Sequence, residues 1–262
     1  MVQAVVGPRR PLNELRLEVV FPENGDDCPR VLILIDGEDR LSYAGRTDWV
    51  GFDPSEVFAS KEVLLPGVVP CRVAVYQCSC GEPGCGSLAP VIESDGENLV
   101  RWTDFQDFTG VFDGPRLISD PEDEDPFSDG HPLAVDDLVF NRQQYEAEIV
   151  RAAADMSWES DGRATARLLG NLVRKQEAPR MKAANVALVG VTFDWSSNGD
   201  PTWTMQLRPV SSPEASQSFR QMLMTLPVVD GSPERQAQSL FEMLQSIPVS
   251  NWGSNFPYRY WP

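Results

Sequence analysis

The stretch that decides the fold of the first half is Ser87-Leu-Ala-Pro-Val-Ile-Glu-Ser-Asp-Gly-Glu-Asn-Leu-Val-Arg-Trp-Thr103. Its two apolar-rich runs, 87–93 and 99–103, flank the turn-forming residues Ser94-Asp-Gly-Glu-Asn98. Runs of strand-forming residues on either side of an Asp-Gly turn are typical of a β-hairpin. We therefore predict an antiparallel hairpin over this stretch.

Further strands are predicted upstream of this hairpin. The apolar residues Leu15, Leu17, Val19 and Phe21 alternate with Arg16 and Glu18, which is the period of a half-buried strand. Residues 31–35 are apolar on both faces and suit a central strand, and residues 71–76 form a third candidate. Together they predict an N-terminal antiparallel β-sheet.

The second half is predicted to be richer in helix. Asn141 and Asp161 can each cap a helix with apolar residues at helical spacing. Residues 186–195 and 202–208 flank a turn-forming segment and indicate another hairpin. The predicted fold class is α+β: an N-terminal antiparallel β-sheet bearing a cysteine knuckle, followed by a C-terminal helix-rich half that contains a β-hairpin.

Two further segments begin with Ser-Pro-Glu, at Ser212 and Ser232. Serine caps a helix, proline suits its first position and glutamate complements its dipole. We predict two helices of one repeated unit, because their apolar residues match at a constant offset: Phe219, Met222, Leu223 and Leu226 against Leu240, Met243, Leu244 and Ile247.

An acidic stretch separates the two halves. Residues 120–130 combine high charge and two prolines with no periodicity, which is typical of a linker or a mobile surface loop. We expect a β-rich region over 1–115, an acidic linker over 116–138 and an α-rich region over 139–262. The alternative is one continuous domain.

The charge balance limits the partners. The chain has 22 basic and 39 acidic residues, a formal charge of −17, and it has no run of Lys and Arg. Nucleic-acid binders usually carry a basic face, so we expect no nucleic-acid partner. The acidity serves solubility or attracts a basic protein. No apolar run approaches the roughly 20 residues needed to cross a bilayer, and the N-terminal residues lack signal-peptide order, so we expect a cytoplasmic protein with no membrane partner.

The cysteine knuckle is the segment Cys78-Ser-Cys-Gly-Glu-Pro-Gly-Cys-Gly86, with thiols at positions 78, 80 and 85. Thiolates bind zinc, and a structural zinc site usually takes four ligands, so Cys78, Cys80 and Cys85 would be one ligand short. The fourth ligand could be Cys71, Cys28, His131, a carboxylate or water.

Two other interpretations of the knuckle stay open. One is a tight Gly-Pro turn that merely contains buried free thiols. The other is a redox pair, Cys78 and Cys80, with Cys85 as the resolving thiol. An odd total of five cysteines indicates reduced thiols rather than a secreted disulfide framework.

Residues 76–105 resemble a pattern in an uncharacterised actinobacterial protein family, a C-x-C-G-x-x-G-C-G segment followed by a hairpin ending in Trp-x-Asp-Phe. Residues 140–148, 157–159 and 167–169 are similar to it as well, so the resemblance spans roughly 76–170. It implies a shared fold and carries no known activity.

Two other groups of residues are candidate sites. Trp102, Asp104 and Phe105 could line a pocket beside the knuckle. The aromatic tail, residues 251–262, either packs back on its domain or binds a partner, since Trp and Tyr dominate interface hot spots. Its partner-binding residues would be Trp252, Tyr258, Tyr260 and Trp261.

The sequence contains no familiar catalytic motif, and its single histidine lies in the acidic stretch, which is a poor place to hold a base. We therefore expect a non-enzymatic acidic interaction protein, such as an inhibitor or immunity-type partner of a basic protein. The alternative is a thiol- or metal-dependent enzyme centred on the knuckle, with zinc as the metal.

Overall fold

A computed structural model of the chain describes residues 11–22, 28–45, 48–58, 63–80, 85–108, 130–195, 201–210 and 221–261. The chain divides into two compact units, Met1–Trp158 and Glu159–Pro262. This division falls later than the expected linker, 116–138, because the first long helix packs on the first strand and so belongs to the first unit. Residues 116–129 of that linker lie outside the described residues.

The predicted hairpin is the centre of the first unit. Strands β6 (Ser87–Asp95) and β7 (Leu99–Phe108) pair antiparallel along their length. Short strands extend the sheet on both sides. On the β6 side are β3 (Trp49–Gly51), β4 (Cys71–Arg72) and β5 (Tyr76–Cys78), and on the β7 side are β8 (His131–Pro132) and β9 (Leu138–Asn141). The N-terminal antiparallel sheet is therefore confirmed.

Strands β1 (Leu15–Val20) and β2 (Arg30–Ile35) form a separate antiparallel pair. Residues 31–35 are predicted as a central strand, but β2 lies in a two-stranded sheet. Only its residues Val31, Ile33 and Ile35 are fully buried, so the strand has one core face. A short helix, α1 (Pro54–Phe58), follows β3.

Helix α2 (Arg142–Ala154) begins where the sequence predicts, since the Asn141 side chain accepts a hydrogen bond from the backbone of Gln144. The helix packs along the outer edge of β1 and satisfies its backbone. Glu148 accepts from the N–H of Leu17 at 2.7 Å, and Arg151 donates to the same residue's carbonyl at 2.6 Å. Side chains of α2 thus take the place of a neighbouring strand.

The second unit combines helices with strands. Its elements are α3 (Asp161–Gln176), α4 (Ala178–Ala183), β10 (Val186–Trp195), β11 (Pro201–Pro209), β12 (Gln221–Leu226), α5 (Pro233–Ser246), a 3-10 turn (Val249–Asn251), α6 (Trp252–Asn255) and β13 (Tyr258–Trp261). The four strands form an antiparallel sheet in the order β10-β11-β12-β13. Helices α3 and α5 pack together, and α3 also contacts β10 and β11.

The prediction of two repeated helices is confirmed for one segment and wrong for the other. Helix α5 follows Ser232 as predicted, but residues 221–226 form strand β12 instead of a helix. β12 lies between β11 and β13 and pairs with both, and those tertiary contacts override the helical spacing of its apolar residues. The predicted cap at Ser212 lies outside the described residues. Helix α3 is capped by Ser160, one residue before the predicted Asp161.

Candidate metal centre

The three knuckle cysteines are brought together by the ends of two paired strands. Cys78 is the last residue of β5, and its backbone N–H donates to the carbonyl of Gly86 at 3.0 Å. Cys85 comes just before β6, so the chain leaves β5 and returns to the same point. Cys78 is buried, whereas Cys80 and Cys85 are exposed. One thiol is therefore anchored in the sheet and two lie at the surface.

The thiol sulfurs form one tight group. The Sγ atoms of Cys78, Cys80 and Cys85 all lie within 4.8 Å of one another. The Cys85 thiol donates to Cys78 at an Sγ–Sγ distance of 3.4 Å, and all five cysteines of the chain are free. A zinc ion with Zn–S bonds of about 2.3 Å at tetrahedral angles would hold its sulfurs ~3.8 Å apart. The group is thus close to the spacing of a zinc ligand set.

The electrostatics of the cluster do not suit Cys85 as an attacking thiolate. Hydrogen bonds to Cys80 and Cys78 raise the pKa of Cys85 to about 11. Reactive cysteines instead have a lowered pKa, because the thiolate is the attacking form. A metal ion also binds the thiolate, so a bound cation would displace the proton of the Cys85 thiol. The raised pKa therefore argues against Cys85 as the attacking thiol and does not bear on the Cys78–Cys80 pair.

The fourth ligands considered from the sequence lie elsewhere. Cys71 donates to the carbonyl of Val69 from strand β4, Cys28 is exposed, and His131 lies in β8 opposite Asp107. Among the described residues, none of the three joins the group of mutually close ligand atoms.

A carboxylate that sequence reasoning did not single out lies beside the cluster. Asp48 precedes β3, and its Oδ2 atom is 3.7 Å from the Sγ of Cys78. Its backbone carbonyl accepts from the N–H of Ser79 at 2.9 Å, which fixes it to the start of the knuckle. Thirty residues separate Asp48 from Cys78 in sequence. The pairing of β3 with β5 brings them together, and no local motif signals it.

The predicted pocket of Trp102, Asp104 and Phe105 is divided between core and surface. Trp102 is fully buried and its Nε1 donates to the hydroxyl of Tyr145 at 3.0 Å, and Phe105 is also buried. Asp104 is half exposed and pairs with Arg72. Trp102 and Phe105 thus lie in the core, whereas Asp104 lies at the surface.

A β-bulge explains this division. Opposite Pro90, the register of β6 and β7 shifts, and Asp104 adopts a left-handed φ of 47°. The extra residue turns Trp102 and Phe105 to the same buried face, and it lets the strand pass a proline that has no N–H to donate. Arg72 secures the bulge by donating to the carbonyls of Ala89 and Asp104.

The aromatic tail is built into the second unit. Trp252 is fully buried, and its Nε1 donates to the carbonyls of Leu244 and Ile247 at the end of α5. Tyr258 is about half exposed. The backbones of Tyr260 and Trp261 pair with β12. Trp252 is thus a core residue, and Tyr258 is the member of the predicted set whose described side chain lies at the surface.

The two units differ in charge. Residues 1–158 contain 30 acidic and 12 basic residues, a formal charge of −18, whereas residues 159–262 contain 9 and 10, a formal charge of +1. All five cysteines also lie in the first unit. Both the cysteine cluster and the net negative charge therefore belong to one half of the chain.

A scan against protein-family models finds no match for the chain, and searches of the curated proteins and of the solved structures find none either. None of the helices in the described ranges has the length and apolar character of a membrane-spanning segment. The resemblance of residues 76–105 to the actinobacterial pattern stays a prediction. The function must therefore be inferred from the site itself.

Proposed function

We propose that the first unit binds one zinc ion through Cys78, Cys80 and Cys85. The observation that carries the proposal is the mutual approach of the three Sγ atoms within 4.8 Å. Soft thiolates select zinc over magnesium and calcium, which take oxygen ligands. Free thiols in this number also suit a reducing, cytoplasmic setting.

The role of the metal would be structural. The knuckle joins β5 to β6, and its residues Cys80 and Cys85 are exposed with little apolar packing of their own. A metal ion bridging the buried Cys78 to two exposed thiols would hold this connection in one conformation. The enzymatic alternative needs an open coordination position, so the two roles are separated by whether a fourth protein ligand completes the site.

Chelator competition tests this proposal with a matched control inside the chain. The full-length protein is purified without chelator under reducing conditions, and its zinc affinity is measured against a coloured chelator. We expect tight binding of one ion in the wild type and in Cys28→Ser, whose exposed thiol lies outside the cluster. Cys78→Ser should lose that binding. Equal zinc binding by Cys78→Ser and the wild type would reject the site.

We also propose a protein-binding role for the acidic first unit, with a basic protein as partner. The supporting observation is the concentration of the net charge in residues 1–158, at −18, beside a nearly neutral second unit. Opposite charge accelerates association and selects partners. An inhibitor or immunity-type protein that blocks a basic enzyme would use a surface of this kind.

Salt dependence tests the second proposal. The full chain is immobilised and exposed to the soluble proteins of its source organism, and captured partners are measured at rising ionic strength. We expect a basic partner whose association rate falls steeply with salt. Capture of a partner whose binding does not change with salt would contradict an electrostatic interface.

A further inference from the structure

We propose that Asp48 is the fourth ligand and closes the site, which makes it a Cys3Asp centre with no open position. This inference rests on the zinc-binding function proposed above and specifies its coordination. It decides between a structural ion and a catalytic one, because a catalytic zinc keeps a position for water or substrate.

The distances around Cys78 support an oxygen ligand at this place. In a tetrahedral site with Zn–S bonds of about 2.3 Å and Zn–O bonds of about 2.1 Å, sulfur and oxygen ligands are ~3.6 Å apart. The observed distance from Asp48 Oδ2 to Cys78 Sγ is 3.7 Å. Asp48 and Cys85 therefore both lie about one ligand-ligand spacing from Cys78.

The backbone of Asp48 is held in register with the knuckle. Trp49, the next residue, pairs with Cys78 between β3 and β5. The carbonyl of Asp48 accepts from the N–H of Ser79 on the other side. Two backbone contacts thus fix the Cα of Asp48 beside the first cysteine. Only the side chain has to turn for the carboxylate to approach Cys80 and Cys85, which it does not yet reach together with Cys78.

Zinc accepts a carboxylate oxygen beside thiolate sulfurs. Three thiolates and one aspartate would surround the cation with four anionic ligands in a half-buried position. The bound cation would also offset the repulsion between the Asp48 carboxylate and the neighbouring thiolate. The bound ion would therefore stabilise the Asp48 carboxylate, which in turn would complete the ligand set of the ion.

Cobalt substitution tests the assignment, because tetrahedral Co²⁺ reports its ligands by absorption. The intensity of the sulfur-to-cobalt charge-transfer band grows with the number of Co–S bonds. We expect Asp48→Cys to raise this intensity by about one third, as four sulfurs replace three. Asp48→Asn should retain the band but weaken Co²⁺ affinity at least about 10-fold, since even loss of an outer-shell partner typically costs 10- to 100-fold. Asp95→Asn, an exposed carboxylate at the far end of β6, is the matched control and should bind like the wild type.

The outcomes separate the two proposals. A wild-type protein that gives no sulfur charge-transfer band rejects zinc binding altogether. A wild-type band that is unchanged in both intensity and affinity by Asp48→Asn and Asp48→Cys leaves zinc binding in place and rejects Asp48 as a ligand. If Asp48→Asn fails to fold by circular dichroism, Asp48→Cys decides alone, and an intensity equal to that of the wild type rejects the assignment.

Discussion

The two units of the chain are stabilised by different kinds of side-chain contact. In the first unit, charged side chains satisfy backbone groups at strand edges and bulges, as Glu148 and Arg151 do along β1 and Arg72 does at Asp104. In the second unit, the large apolar side chains Trp203, Trp252 and Phe241 are buried at the centre of the core. Both units bury large apolar side chains, among them Trp102 and Phe140 in the first unit. The strand edges of the first unit should therefore respond to pH and charge substitutions in addition to loss of apolar volume.

Removal of Trp252 should have the largest effect. Trp252→Ala would open a cavity in the second unit and leave the carbonyls at the end of α5 without their indole partner. We expect a loss of about 4 kcal/mol in stability. Amide hydrogen exchange in α5 and β12 would measure it. Tyr258→Ala is the control and should cost far less, because that side chain is about half exposed.

Exchange rates in α5 that stay unchanged in Trp252→Ala would show that the indole does not hold the unit together. In that case the partner-binding role expected of Trp252 from the sequence would regain weight, because the side chain could then leave the core at little cost.

Removal of Arg72 should have an intermediate effect, confined to the first unit. Arg72→Ala would leave the carbonyls of Ala89 and Asp104 without their donor and Asp104 without its ion pair. Hydrogen bonds to charged groups contribute about 2 kcal/mol, and we expect a loss of that size. Chemical denaturation followed by exchange in β6 and β7 would measure it. Arg16→Ala removes an exposed pair and should change stability by less than about 0.5 kcal/mol.

Glu148 should give the smallest effect and a distinct pH dependence. Burial raises the pKa of its carboxyl, but hydrogen bonds from Arg151 and from the backbone of Leu17 outweigh burial and hold the pKa below its ordinary value of 4.5. The unfolded chain therefore takes up the proton first. The stabilisation is complete above about pH 4.5 and is lost as the pH falls through the lower folded value.

Glu148→Gln should flatten this loss. Denaturation of the wild type and of Glu148→Gln between pH 7 and pH 3 would measure it, with exchange at Leu17 as the local probe. The difference between the two proteins should shrink as the pH drops below 4.5. A difference that grows with acidification would mean that the carboxylate of Glu148 does not stabilise β1.

Local patterns account for what the sequence predicts correctly. The Asp-Gly turn predicts the β6–β7 hairpin, and Asn141 and Ser232 predict the starts of α2 and α5. Long-range pairing accounts for the rest. The apolar run of β12 has a spacing that suits a helix, and only its neighbours β11 and β13 make it a strand.

The residues of the candidate site also differ in whether local sequence or long-range pairing reveals them. Three thiols within eight residues are visible in the sequence, and the structure brings their sulfurs together. Asp48 is not visible, because the pairing of β3 with β5 brings it to Cys78 from thirty residues away. The division of Trp102, Asp104 and Phe105 between core and surface has a related cause, since the bulge opposite Pro90 changes which side chains of β7 share a face.

X-ray absorption at the zinc edge, on the intact zinc-loaded protein, tests most directly whether three cysteines and Asp48 bind one zinc ion. We expect the zinc ion to be coordinated by three sulfurs at about 2.3 Å and one oxygen at about 2.0–2.2 Å, and the same coordination in Cys28→Ser. A shell of nitrogen and oxygen alone, or a sulfur count that stays the same in Cys78→Ser, would contradict it.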